Sequence, residues 1–197
     1  VSTHGLSSTR WSCLAPAPLN YGRGGFVTCR TYTTPMVSDA RWAQSREVGK
    51  QGEESFVLAC EALGYRCRKS SRQEDIELHI DYWVTRPQGE TSVDVKGQKK
   101  NEEVWVELKN VRGHAGWLYG HAGYIAFEMA SLGGFVVVSR SQLVELIEMT
   151  VEEVFVRKDD AYLKLYQRDD RLDVITRIEL SDLELLPTFK VINYAPK

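Results

Sequence analysis

Two acids and an amine stand close together in the middle of this chain: Asp81, Asp94 and Lys96. Residues 80–84 and 92–96 read as two short strands, separated by the turn-like Arg86-Pro87-Gln88-Gly89-Glu90. Side chains alternate across a strand, so Asp94 and Lys96 share one face, and each strand presents an acid. Two carboxylates beside one ammonium suit metal-assisted phosphodiester cleavage. The carboxylates hold a hard divalent cation, and the lysine helps to place or deprotonate the attacking water. Asp-x-Lys by itself is weak evidence, because a chain of this length carries roughly one Asp/Glu-x-Lys by chance. Glu107-Leu108-Lys109 is a second one. The case rests on the order of the elements around the motif.

Upstream, Phe56, Val57, Cys60 and Leu63 recur at helical spacing, which predicts an amphipathic helix over residues 52–63 that Gly64 stops. Glu53 lies three residues before Phe56 and four before Val57, so its carboxylate falls over the buried stripe near the head of the helix. Glu54 is turned about 100° away, toward solvent. An acid at that place either complements the helix dipole or faces a metal.

A helix with an inward Glu, a Gly-aromatic stop, a basic strand, then Asp, a turn and Asp-x-Lys resembles the PD-(D/E)XK nuclease superfamily, over residues from about 49 to 146. The run Val93-Asp94-Val95-Lys96, the strand Trp105-Val106-Glu107 and the loop Gly116-Trp117-Leu118-Tyr119-Gly120 resemble those of phage-encoded members. The resemblance implies an α/β restriction-endonuclease-like core, a mixed central β-sheet flanked by helices. It implies a magnesium- or manganese-dependent endonuclease that cuts DNA and leaves a 5′-phosphate. Asp81 would bridge the metal, Asp94 and the Val95 carbonyl would be further ligands, Lys96 would be the lysine, and Glu53 the helical acid. The family's Pro before the first acid is replaced by Ile80. In a second register Asp94 is the first acid and Glu107-x-Lys109 the second motif. It is disfavoured, because it leaves the strand expected over residues 76–84 between helix and site, with no task for Asp81. Gln98 and Glu107 are auxiliary candidates; otherwise Glu107 is an exposed strand acid. Resolvases and many restriction enzymes act as two-fold dimers, so a homodimer is expected from the resemblance.

The net charge is −2, which argues against a generic nucleic-acid coat. A nuclease carries its positive charge locally, because phosphate contacts supply most of the affinity. Two basic runs flank the motif. One holds Arg66, Arg68, Lys69 and Arg72; the other holds Lys96, Lys99 and Lys100. These residues, with Trp117 in its glycine-rich loop, are the expected DNA contacts. Trp117 and Tyr119 read equally well as core aromatics. The four cysteines contain no Cys-x-x-Cys pair, and Cys60 and Cys67 read as small core residues. That fits a reducing compartment, the cytoplasm of a bacterial or phage-infected cell. His79 is expected on the strand face of Asp81, as a neighbour of the site. No run is apolar for long enough to span a membrane.

Three segments are expected. Residues 1–40 are rich in Ser, Thr, Gly and Pro, have no acid before Asp39, and read as flexible or loosely packed. They share the acid-poor character of a transit peptide, and Met36 is an alternative start. Residues 41–150 read as the core, with strands over 104–109, 124–127 and 135–138 and a helix over 141–149. Residues 151–197 read as a C-terminal β-hairpin extension, with strands over 161–168 and 172–178. Two competing readings stand beside the nuclease. One is a non-catalytic nucleic-acid-binding module on the same fold. The other is a surface salt-bridge network of Asp81, Asp94 and Lys96, which would stabilise little.

Overall fold

The computed structural model describes residues 39–99 and 103–195, with side chains described from residue 46 and not at 98 and 99. The expectation for residues 1–40 therefore lies outside the described residues except at its end, as does Lys100. The elements follow in the order α1 (Asp39–Ala62), β1 (Arg66–Lys69), α2 (Arg72–Leu78), β2 (Tyr82–Arg86), β3 (Gly89–Lys99), β4 (Glu103–Lys109), β5 (Tyr124–Met129), β6 (Gly134–Ser139) and α3 (Arg140–Thr150). Then come β7 (Glu152–Phe155), β8 (Lys164–Leu165), β9 (Val174–Glu179), α4 (Leu180–Glu184) and β10 (Lys190–Asn193). Six strands form a mixed central sheet in the order β1-β2-β3-β5-β6-β10. Its one parallel pair is β3 with β5. This is the expected coarse class, α/β with a mixed central sheet and flanking helices.

The strands are apolar on both faces because both are covered. On one face Phe56, Ala59 and Cys60 of α1 pack on Tyr82, Val84, Val93 and Val95. On the other, Ile125 and Phe127 of β5 meet Val104 and Val106 of β4 and Leu143 and Ile147 of α3. The alternation of β3 thus points Val93 and Val95 to α1, and Asp94 and Lys96 to the opposite layer.

Helix α1 starts thirteen residues earlier than expected and ends at Ala62, before Gly64 with its φ of 76°. Its glycines fit a close approach. A Cβ on Gly52 would stand 3.2 Å from the Cα of Gly97 and 2.9 Å from Glu128 Oε2. The helix therefore lies directly on the β3 backbone, one residue from Lys96.

The strand expected over residues 76–84 is corrected: residues 72–78 are helical. Ser71 caps α2 by accepting from the Glu74 N–H, and the Glu74 side chain accepts from the Ser71 N–H. This reciprocal box satisfies two otherwise orphaned donors, and it outweighs the apolar alternation around Ile76. His79 ends the helix in the left-handed region, φ 53°.

The strand expected over residues 92–96 is longer than expected, since β3 continues through the second basic run to Lys99, paired with Met129 across an irregularity. The C-terminal hairpin is replaced by longer-range pairing. Between its expected arms an antiparallel bridge, Tyr166 with Ile175, and a parallel one, Tyr162 with Arg177, remain. Strand β9 instead pairs with β4, Ile178 opposite Val104 and Thr176 opposite Val106. The physical reason is length and pattern: β4 offers seven residues with two fully buried valines, whereas β8 has two residues. Strand β10 closes the edge of the central sheet beside β6. No described helix is long and apolar enough to cross a membrane.

Candidate active site

The site is a cross-strand pair of acids. Tyr82 is in register with Val93, so Asp81, one residue earlier, lies across from Asp94 on the same face. The Asp81 N–H donates to the Val93 carbonyl at 2.9 Å, and Asp81 Oδ2 accepts from the Val95 N–H at 2.7 Å. The chain has left the ladder here, and the Asp81 carboxylate takes the place of a backbone acceptor. The N–H and C=O of one strand residue point to the same edge. The Val95 carbonyl is therefore directed to the side of the sheet that holds the Asp81 carboxylate.

Asp94 is 3% exposed, and its Oδ2 has no hydrogen-bond partner. Its Oδ1 accepts from Lys96 Nζ at 2.8 Å. Lys96 in turn stands 4.8 Å from the centroid of the Trp117 ring, a cation–π contact that fixes the long side chain. Burial, and then the nearby Asp94 charge, push the Asp81 carboxyl up to about 7. Two carboxyls in one desolvated place resist joint ionisation, and a cation or a proton relieves them.

The surroundings hold this geometry. Trp117 and Leu118 form a short 3₁₀ turn packed on Phe127. Arg140, buried at the start of α3, clamps that segment through Nε to the Ala122 carbonyl at 2.5 Å and Nη1 to the Leu118 carbonyl at 3.2 Å. His79 lies against the same segment: a Cβ on Gly120 would meet the His79 Cβ at 2.8 Å. Its imidazole is held below the usual range by burial and by the Lys96 charge, and so stays neutral beside the site. His79 is a neighbour of the acids as expected, reached from a helix cap and not from a strand.

Of the expected site residues, Asp81, Asp94 and Lys96 are brought together, and Val95 lies between them. Glu53 is a correction. It sits in the middle of α1, on the opposite face of the sheet, where it pairs with Lys69 Nζ and accepts from Tyr82 Oη at 3.4 Å. The extension of α1 back to Asp39 moves Glu53 away from the helix head, and its layer is that of Tyr82 and Val95. Among the described residues no three His, Cys, Asp or Glu side chains converge as a metal cluster. Lys109 of the second register is exposed at the end of β4, outside the central sheet. Glu107 does border the site; burial raises its carboxyl, and the Trp117 backbone and the Lys96 charge oppose that rise.

The basic residues divide by face. Arg66 and Arg68 are opposite Thr85 and Trp83 and share the layer of Asp81. Arg68 stacks on Trp83 at 5.6 Å. Lys69 faces α1 and is occupied by Glu53, which raises its ammonium above the usual range. Arg72 is exposed on the first turn of α2. The side chains of Gln98 and Lys99 are outside the description. Trp117 is 9% exposed, so its ring is core with one accessible edge. Sequence reasoning missed Arg140, which no local pattern marks. It also missed the neighbours of Glu107: Trp105, Tyr166 and Arg168 line one pocket with it. The pocket forms by the pairing of β4 with β9, which lies 60-odd residues away and leaves no local signal.

No family model matches this chain, and no curated protein or solved structure matches it either.

Proposed function

We propose that this chain is a divalent-metal-dependent DNA endonuclease with a restriction-endonuclease-like core of the PD-(D/E)XK type. One observation carries the reading: Asp81 and Asp94, drawn from adjacent strands, share a desolvated place with a lysine 2.8 Å from one of them. The donor set fits a hard cation. It offers two carboxylates, one with an unpartnered buried oxygen, and a backbone carbonyl aimed to the same side. Asp81, Asp94 and the Val95 carbonyl would hold the ion, with water completing its shell. Magnesium or manganese bound there supplies Lewis acidity and a nucleophilic water at neutral pH. Glu53 is not part of this set.

The chain's own residues do the rest. Lys96 presents its ammonium beside Asp94, fixed by the Trp117 face. From there it orients the attacking water and stabilises charge developing on the phosphate. Arg66 and Arg68, in the same layer, contribute phosphate contacts. A 5′-phosphate product, a homodimer and a cytoplasmic setting belong to the same proposal.

Asp94→Asn and Lys96→Ala are expected to lower magnesium-dependent plasmid nicking by about a hundredfold or more, near 3 kcal/mol at 1.4 kcal/mol per tenfold, with unchanged circular dichroism. Nicking at the wild-type rate in either folded variant would retire the assignment. The second reading is a non-catalytic nucleic-acid-binding module. It is favoured by the absence of a third converging acid among the described residues. Such a module shifts DNA mobility in EDTA and never nicks with magnesium.

A further inference from the structure

Beside the Trp117 ring, over which Lys96 packs, lies a pocket of about 390 Å³ lined by Trp105, Glu107, Trp117, Lys158, Tyr166 and Arg168. That is within the size range of small-ligand sites. We propose that this pocket receives one unpaired nucleotide of the DNA strand beside the scissile phosphate, so that the protein prefers single-stranded or locally unpaired DNA over intact duplex. The inference rests on the endonuclease reading for its position and on the pocket for its specificity.

The chemistry of the lining is that of a nucleotide. Trp105 and Glu107 project from the same face of β4, opposite to buried Val104 and Val106. Tyr166 meets Trp105 edge to face, with centroids 6.1 Å apart and planes at 62°. Such a pair leaves ring faces on which a base can stack, and stacking tolerates every base. Arg168 is held in place: its Nε donates to Asp173 Oδ2 at 2.7 Å, and one terminal nitrogen donates to the same oxygen. Asp173 is fully buried, so the guanidinium is anchored from behind and keeps donors for a phosphate. Lys158, exposed in a short turn, adds a second cation at the rim. Glu107 supplies an acceptor for a base amino group.

Lys96 and Trp117 connect the pocket to the acids. Lys96 packs over the Trp117 ring that also lines the pocket, and the Lys96 charge is felt at Glu107. A base held in duplex stacking cannot enter a side pocket. An unpaired one enters at low cost, and that difference is a source of selectivity.

The test is binding in EDTA, with cleavage switched off. A fluorescein-labelled single-stranded oligodeoxynucleotide and a duplex of the same length are titrated by anisotropy against the full chain. Tighter binding of the single strand is expected. Trp105→Ala and Tyr166→Ala should weaken it about ten- to a hundredfold, the range for one lost base–aromatic stack, and leave duplex binding within twofold. Lys158→Glu, at an exposed position and with folding checked by circular dichroism, should weaken the single strand about three- to tenfold. Equal wild-type affinity for both DNAs, or wild-type affinity for the single strand in Lys158→Glu and Tyr166→Ala, overturns the pocket. Asp94→Asn separates the two proposals: it should lose nicking while binding the single strand in EDTA at least as tightly as wild type. Pocket-dependent binding without any nicking by the wild type would sink the endonuclease reading alone. Nicking without pocket dependence would sink this inference alone.

Discussion

Asp81 carries the electrostatic cost of the site. Its carboxyl is pushed from 3.8 to about 7 by burial and by Asp94. Between those pH values the folded chain holds a proton that the unfolded chain has released. The Asp81 contribution to stability is therefore present below about pH 4 and is lost as pH rises to about 7. Asp81→Asn keeps an acceptor for the Val95 N–H and removes the charge. It should flatten that part of the pH profile in urea denaturation and be more stable than wild type at pH 8 by about 1–3 kcal/mol. A less stable variant at pH 8 would mean that the two acids do not repel. Magnesium at the proposed site would have to displace the same proton, so it should raise the melting temperature more at pH 8 than at pH 5.5.

At the level of elements, α1 and β3 set the position of Lys96. Helical glycine costs about 1 kcal/mol relative to alanine, yet Gly49 and Gly52 both sit in α1 where it crosses Gly97. The close backbone approach explains Gly52, whereas a Cβ on Gly49 would meet nothing within 4 Å. Gly52→Ala should therefore destabilise, by about 1–3 kcal/mol, although its helix propensity favours the change. A gain in melting temperature would show that α1 does not press on β3. The short helix α2 has the converse lesson. Ser71-Arg72-Gln73-Glu74 is a capping-box sequence, so this helix is legible, although the alternation of Ile76, Leu78 and Ile80 with polar residues is a strand pattern. Strands β5 and β6 and helix α3 follow the sequence patterns closely, because each is decided by neighbours within a few residues.

Over the whole molecule, the C-terminal residues are part of the core. Ile178, Leu180 and Leu183 are buried with Val104, and Tyr194 donates to Glu128 at 3.0 Å across the edge of the sheet. Removing residues 151–197 would uncover β4 and leave β6 as an open edge. Such a truncation should fail to give a protease-resistant fragment. A stable truncated domain would restore the view of this segment as an appendage.

By itself the sequence determined that Asp94 and Lys96 share a face and that each strand presents an acid. Alternation over residues 92–96 is a local geometric fact, whereas the register that sets Asp81 across from Asp94 came with the structure. It also determined the mixed α/β class. Only the tertiary structure decided that Glu53 belongs to the other layer, because that depends on where α1 begins and which face it covers. Only the tertiary structure joined β9 to β4, and with it Tyr166 and Arg168 to Trp105 and Glu107. Pairing between segments distant in sequence is chosen by which apolar faces bury each other best, and no short window of residues contains that choice.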